Sequence, residues 1–122
     1  MTVKELYERM GGDYDAAVKI MMMDSMIAKF IVKVPDDPTY GRLMAAAETM
    51  DTTGIFEAAH TLKGVAANFG LTKLSTLASE LTEEFRPGRE RQMSDEEVRE
   101  KLEAIRKLHE QTVEGIRAFT AG

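Results

Sequence analysis

Apolar residues recur at every third or fourth position in segment after segment of this chain, and nowhere alternate with polar ones over strand length. That period belongs to helices. Leu71, Leu74, Leu77, Ala78, Leu81 and Phe85 trace one apolar stripe; Val98, Leu102, Ile105, Leu108, Thr112, Ile116 and Phe119 trace another. Each stripe must be covered, and amphipathic helices joined by short loops cover one another most economically as an antiparallel bundle. The 122 residues fit one domain with a core of moderate size. The expectation is an all-α chain, one domain over 1–122, with its core at about 13–86 and a C-terminal helix at about 94–119.

Local signals divide the chain into six helical segments. Thr2 with Glu5 forms a capping box for a short first helix that stops at Gly11-Gly12. Asp13 caps a second, predicted to run to about Val34, where Pro35 ends it. Asp37-Pro38 opens a third, carrying Tyr40, Leu43, Met44, Ala47 and Met50. Asp51 caps the fourth, Thr52 to about Phe69, and Gly70 suits its left-handed end. The fifth is the stripe from Leu71 to Phe85, broken by Arg86-Pro87-Gly88. A solvated linker through Gln92, expected to be the most mobile internal stretch, leads to a second capping box at Ser94 and Glu97. Met21, Met22, Met23 and Met26 are expected to fill the core.

Composition removes several function classes. A net charge of −5 speaks against nonspecific affinity for nucleic acid or an anionic membrane. The apolar run between the methionine cluster and Val34 is broken by Asp24, Lys29 and Lys33, so it is no membrane span. Lys4, Glu5 and Glu8 near the N-terminus do not read as an export signal. The absence of cysteine excludes disulfides, thiol nucleophiles and zinc–thiolate sites, and a cytoplasmic protein is the expectation. No Ser-His-Asp ordering, no carboxylate pair forced together by spacing and no His-Glu-x-x-His motif is present. Neither a bound metal nor an autonomous kinase or hydrolase activity is expected.

The informative segment is Ile55 to Gly70. At about 100° per residue, Ile55, Ala58, Ala59, Leu62, Val65, Ala66 and Phe69 fall within roughly one third of the helix circumference. That stripe faces the core, and His60 falls roughly 160° away from Leu62, toward solvent. His109, beside Leu108 at the margin of its own stripe, reads instead as a packed residue. The helical neighbours of His60 are Phe56, Glu57, Lys63, Gly64 and Ala67. Gly64 costs roughly 1 kcal/mol relative to alanine in mid-helix, so it calls for a packing or functional reason. It leaves the imidazole open to a bulky partner, and Ala67 keeps the next turn low. Phe56 adds an exposed apolar ring suited to docking. Lys63 brings a cation within one turn. An imidazole, with an unperturbed pKa of about 6.5, is a nucleophile at neutral pH. Exposed nucleophile, neighbouring cation and open space are what a phosphoryl acceptor needs.

His60-Thr61-Leu62-Lys63-Gly64-Val65-Ala66-Ala67-Asn68-Phe69-Gly70 resembles the signature of histidine-phosphotransfer (HPt) domains, His-x-Leu-Lys-Gly followed by small residues and a second glycine. Ala58-Ala59, Leu71 and the preceding Asp51 fit as well, and the likeness is strong from about Asp51 to Leu81. It implies an antiparallel four-helix bundle with one or two additional helices. It implies that His60 takes a phosphoryl group from an aspartate of a response-regulator receiver domain and passes it to another receiver. Lys63 matches the lysine that helps hold that group and Gly64 the glycine that leaves it accessible; Phe56, Glu57, Gly64, Ala67 and Asn68 become the partner-docking residues. No cofactor is implied for this chain, since the Mg2+ of the transfer belongs to the receiver. The implied partners are receiver domains and a hybrid histidine kinase, met by a monomer. Two positions depart from the pattern: Val65, where Ser or Ala is more usual, and Gly54, a weak start for a helix.

Two other readings remain. The phosphoacceptor domain of a chemotaxis-type histidine kinase shares the motif, although no glycine-rich ATP lid lies in this chain. A non-catalytic helical interaction module would leave His60 unmodified and would have no use for Gly64 beside it.

Overall fold

The computed structural model describes residues 1–122, and all its regular structure is helical. In chain order the elements are α1 (Val3–Met10), α2 (Tyr14–Met21), α3 (Asp24–Ile31), a 3-10 turn at Val34–Asp36, α4 (Thr39–Glu48), α5 (Thr52–Asn68), α6 (Thr72–Glu84) and α7 (Asp95–Ala121). The helix starts are fixed locally. The Thr2 hydroxyl accepts the Glu5 amide at 3.1 Å while the Glu5 carboxylate accepts the Thr2 amide at 2.8 Å, closing a capping box. Ser94 and Glu97 do the same for α7. Asp13 accepts the Ala16 amide at 3.1 Å, and Asp37 accepts the Thr39 amide at 2.8 Å.

Helices α4, α5, α6 and α7 run up and down in turn. The contact of Ala46 with Asp51 across the first loop, of Ser75 with Lys63 and Arg86 with Phe56 along the middle pair, and of Glu84 with Arg91 and Glu80 with Lys101 along the last pair make each neighbour antiparallel. Tyr40 on α4 stacks on His109 of α7, ring centroids 3.7 Å apart, and so closes the four into a ring. On the outer side of α7, α1 lies so close at Gly115 that a Cβ there would come within 2.8 Å of Met10 Cγ. One continuous apolar core results, drawn from α1 through α7. None of the helices is long and apolar enough to cross a membrane.

The expected second helix, Asp13 to about Val34, is instead two helices. Met22 adopts a left-handed conformation, φ 77°, and its amide bonds back to Val18 at 2.8 Å to close α2. The Tyr14 hydroxyl donates to Asp24 across the corner. The bend lets Ala17 pack beneath Gly70 while Ile27 and Ile31 of α3 enter the core beside α1. No Gly or Pro marks it, and apolar residues continue through it, so periodicity alone reads one helix. Pro35 then lies inside the 3-10 turn, after α3 has already ended at Ile31. As a result three short helices, α1, α2 and α3, precede the ring.

The methionine cluster is also corrected. Met22, Met23 and Met26 are 74%, 55% and 37% exposed; only Met21 leans on the core. Their place at the outside of the α2–α3 corner takes them away from it.

The linker of residues 86–92 is exposed, as expected, but its far end is fastened. Glu84, 2% exposed, accepts the amides of Gln92 at 3.0 Å and Met93 at 2.8 Å, and Arg91 Nε at 3.2 Å. Burial pushes its carboxyl up, but these donors outweigh burial and hold it below the usual carboxylate range.

Candidate functional site

The site is built on α5. Asp51 accepts the Gly54 amide at 3.1 Å and opens the helix. Gly54 has a packing reason there: a Cβ would stand 2.7 Å from the Asp51 carboxylate and 3.0 Å from Ala46 Cβ, so the cap or the neighbouring helix would have to shift. The glycine that weakens the helix start by propensity is what admits both the cap and the close approach of α4. At the other end Gly70 has φ +65°, and a Cβ there would meet the Asp13 carbonyl at 2.3 Å. The Asp13 amide donates to Gly70 O at 2.7 Å, so α2 starts directly against the end of α5.

Between these ends the helix turns Ile55, Ala58, Ala59, Leu62 and Ala66 inward, with Val65 and Phe69 half-buried beside them. His60 is exposed on the opposite face. Its ring lies 6.1 Å from that of Phe56, interplanar angle 12°, an offset parallel pair one turn apart. Phe56 is half-buried against the core, and Glu57, Ala67 and Asn68 are exposed. Lys63 is half-buried on the α6 flank, where its carbonyl accepts the Ser75 hydroxyl at 3.1 Å. Glu57 lies on the other flank, in a groove shared with Arg42 and Thr49 of the α4 side. A Cβ at Gly64 would meet nothing within 4 Å. Unlike Gly54 and Gly70, this glycine has no packing reason inside the chain.

Three residues that the spacing did not single out, Glu83, Arg86 and Arg89, complete the surroundings. The Arg86 guanidinium lies 5.5 Å from the centre of the Phe56 ring. Glu83 accepts two hydrogen bonds from it, at 3.1 and 2.6 Å. Arg89 donates to the Glu83 carbonyl at 3.2 Å and comes within 4.0 Å of its carboxylate. The Arg86 hydrogen bonds hold the Glu83 carboxyl below its usual range against the opposing effect of burial, helped by the charges of Arg86, Lys63 and Arg89. The available signal was the three-residue spacing of Glu83 and Arg86, a helical ion-pair spacing.

His109 occupies different ground. It is half-buried, flat against Tyr40, and lines a small apolar cavity with Leu62, on the side of α5 away from His60. Burial lowers its pKa. No group of three or more metal-ligating side chains comes together in the fold.

No curated protein and no solved structure matches the chain. The family model of the Hpt domain matches residues 25–115, from α3 to the last third of α7 and across the whole of α5 and α6. The chain belongs to the Hpt domain family, whose members act as phosphocarriers in phosphorelay signalling.

Proposed function

We propose that this chain accepts a phosphoryl group on His60 from a receiver-domain aspartate and passes it to an aspartate of another receiver. A lone pair of the imidazole attacks phosphorus, the P–O bond of the acyl phosphate breaks and a P–N bond forms. The donor aspartate leaves as carboxylate, and the proton on the second ring nitrogen exchanges with water. The onward step reverses this on the next aspartate. Receiver domains are the partners of the reading, with a hybrid kinase upstream.

The carrying observation is the pairing of an exposed His60 with Gly64, whose missing side chain faces only solvent. A mid-helix glycine costs about 1 kcal/mol, and nothing within the chain offsets it. A visiting surface does: it can approach the imidazole over a turn that carries no bulk. Phe56 offers that visitor an apolar ring, and Lys63 a cation for the transferred group.

The test is incubation with a panel of phosphorylated receiver domains and Mg2+, followed by mapping of the label. Acid-labile, base-stable phosphate on His60 is the expected result; labelling only by an ATP-bound kinase domain would move the chain to the chemotaxis-type reading. Lys63→Ala is expected to slow transfer about tenfold, the usual scale of one charge-assisted contact, with an unchanged thermal melt. Equal rates would reduce Lys63 to a surface cation. Gly64→Leu separates folding from docking. It should raise stability by up to about 1 kcal/mol through helix propensity and weaken receiver binding about tenfold or more through steric conflict. Undiminished affinity would defeat the steric role of Gly64.

A further inference from the structure

We infer that Glu83 is the resident counter-ion of the His60 site, a positioning residue that holds Arg86 beside Phe56 and releases it to the phosphoryl group. The inference rests on His60 being the phosphoacceptor and concerns what happens to the group once it is there.

Glu83 stands near the end of α6, beside the first half of α5. Its carboxylate takes both hydrogen bonds that a guanidinium fork can give, from Arg86. The same guanidinium lies on Phe56, and Phe56 is the ring next to His60. Arg86 is thus one aromatic ring away from the imidazole and already oriented. Arg89 is drawn to the same carboxylate. Lys63, from α5, is close enough for its charge to lower the Glu83 carboxyl. Three cations thus act on one carboxylate; of these, Lys63 stands one helical turn from His60 and Arg86 lies on the ring beside it.

A phosphoryl group brings about −1.5 to −2 charges at neutral pH. Against the single negative charge of Glu83, it is the stronger claimant for Arg86 and Lys63. Before transfer, Glu83 keeps the arginine from swinging into solvent. After transfer, Glu83 competes with the phosphoryl group for the same donors and repels it. Both effects raise the free energy of the phosphorylated state, which favours passing the group on over keeping it. The ion pair is exposed, so the effect is moderate and weakens with salt.

Phosphoramidate, a small phosphoryl donor, tests this without a receiver. His60 is phosphorylated with it in the full chain, and the decay of the phosphohistidine is followed at low and high ionic strength. Glu83→Gln, which keeps the shape and removes the charge, should lengthen the half-life about threefold at low salt, the scale of an exposed charge pair. The gain should shrink toward the wild-type value at high salt. Adding Arg86→Ala to Glu83→Gln should remove most of the gain, leaving only the share due to Lys63 and to relieved repulsion; a gain that Arg86→Ala leaves undiminished overturns the role given to Arg86. A merely structural Glu83 would change the melt and leave the salt dependence alone. An unchanged or shortened half-life in Glu83→Gln overturns the inference. If phosphoramidate labels His60 and these shifts appear while no receiver labels it, the inference holds and the relay reading fails. If neither donor labels His60, both fall.

Discussion

A chain carrying His60→Gln is expected to take up no acid-labile phosphate from any phosphorylated receiver, while folding as the parent does. The loss should be complete, because no second imidazole can take over. His109 is pressed flat against Tyr40, and burial there opposes its charged form. The substitution is made on the solvent face of α5, where glutamine suits a helix, so stability should move by no more than about 0.5 kcal/mol. What is given up structurally is the offset stack with Phe56. Intact mass after incubation with donor and Mg2+, beside a thermal melt by circular dichroism, checks both halves. Label persisting in this variant would move the chemistry to another residue and leave the Gly64 opening without purpose. Label lost together with the melt would show that His60 serves the fold.

The difference between what spacing revealed and what it hid has one physical cause. Features set by neighbours within one turn were legible. The boxes at Thr2–Glu5 and Ser94–Glu97 and the Asp51 cap each satisfy helix-end amides with a side chain three positions away. The face of α5 was legible for the same reason: His60, Phe56, Lys63 and Gly64 share one helix, so rotation per residue places them. Gly54 read as a weak helix start because its reason, Ala46 of α4, lies on another helix. The corner at Met22 was invisible since it is made by tertiary packing on a residue that rarely takes positive φ. It also carried the methionines outward, against the expectation of a core role. Arg86 shows the same limit within the site. It read as the end of a helix, and only the antiparallel register of α6 on α5 brings it over Phe56.

Glu84→Ala is expected to be the most destabilising single substitution near the site, by about 2–4 kcal/mol, or roughly 10 °C in melting temperature. Adjacent glutamates here do opposite things. Glu83 points out to Arg86, while Glu84 turns inward and takes up the amides of Gln92 and Met93 and the Arg91 side chain. With its carboxylate gone, three donors lose their acceptor at the partly covered edge of the core, and the return of the chain to α7 loses its fastening. Gln92 and Met93 should lose amide protection before any other part of the linker, which hydrogen exchange reads directly. The pH dependence follows from a carboxyl held below its usual range. Its contribution is complete above about pH 4.3, the unfolded value, and is lost as the pH falls through the lower folded value. Glu84→Gln keeps the volume and part of the hydrogen bonding. It should show a smaller loss at neutral pH and a flatter decline in acid. Parallel acid declines in Glu84→Gln and the parent would mean that the clasp works by shape alone. An unchanged melt in Glu84→Ala would mean that the linker is not held by Glu84 at all.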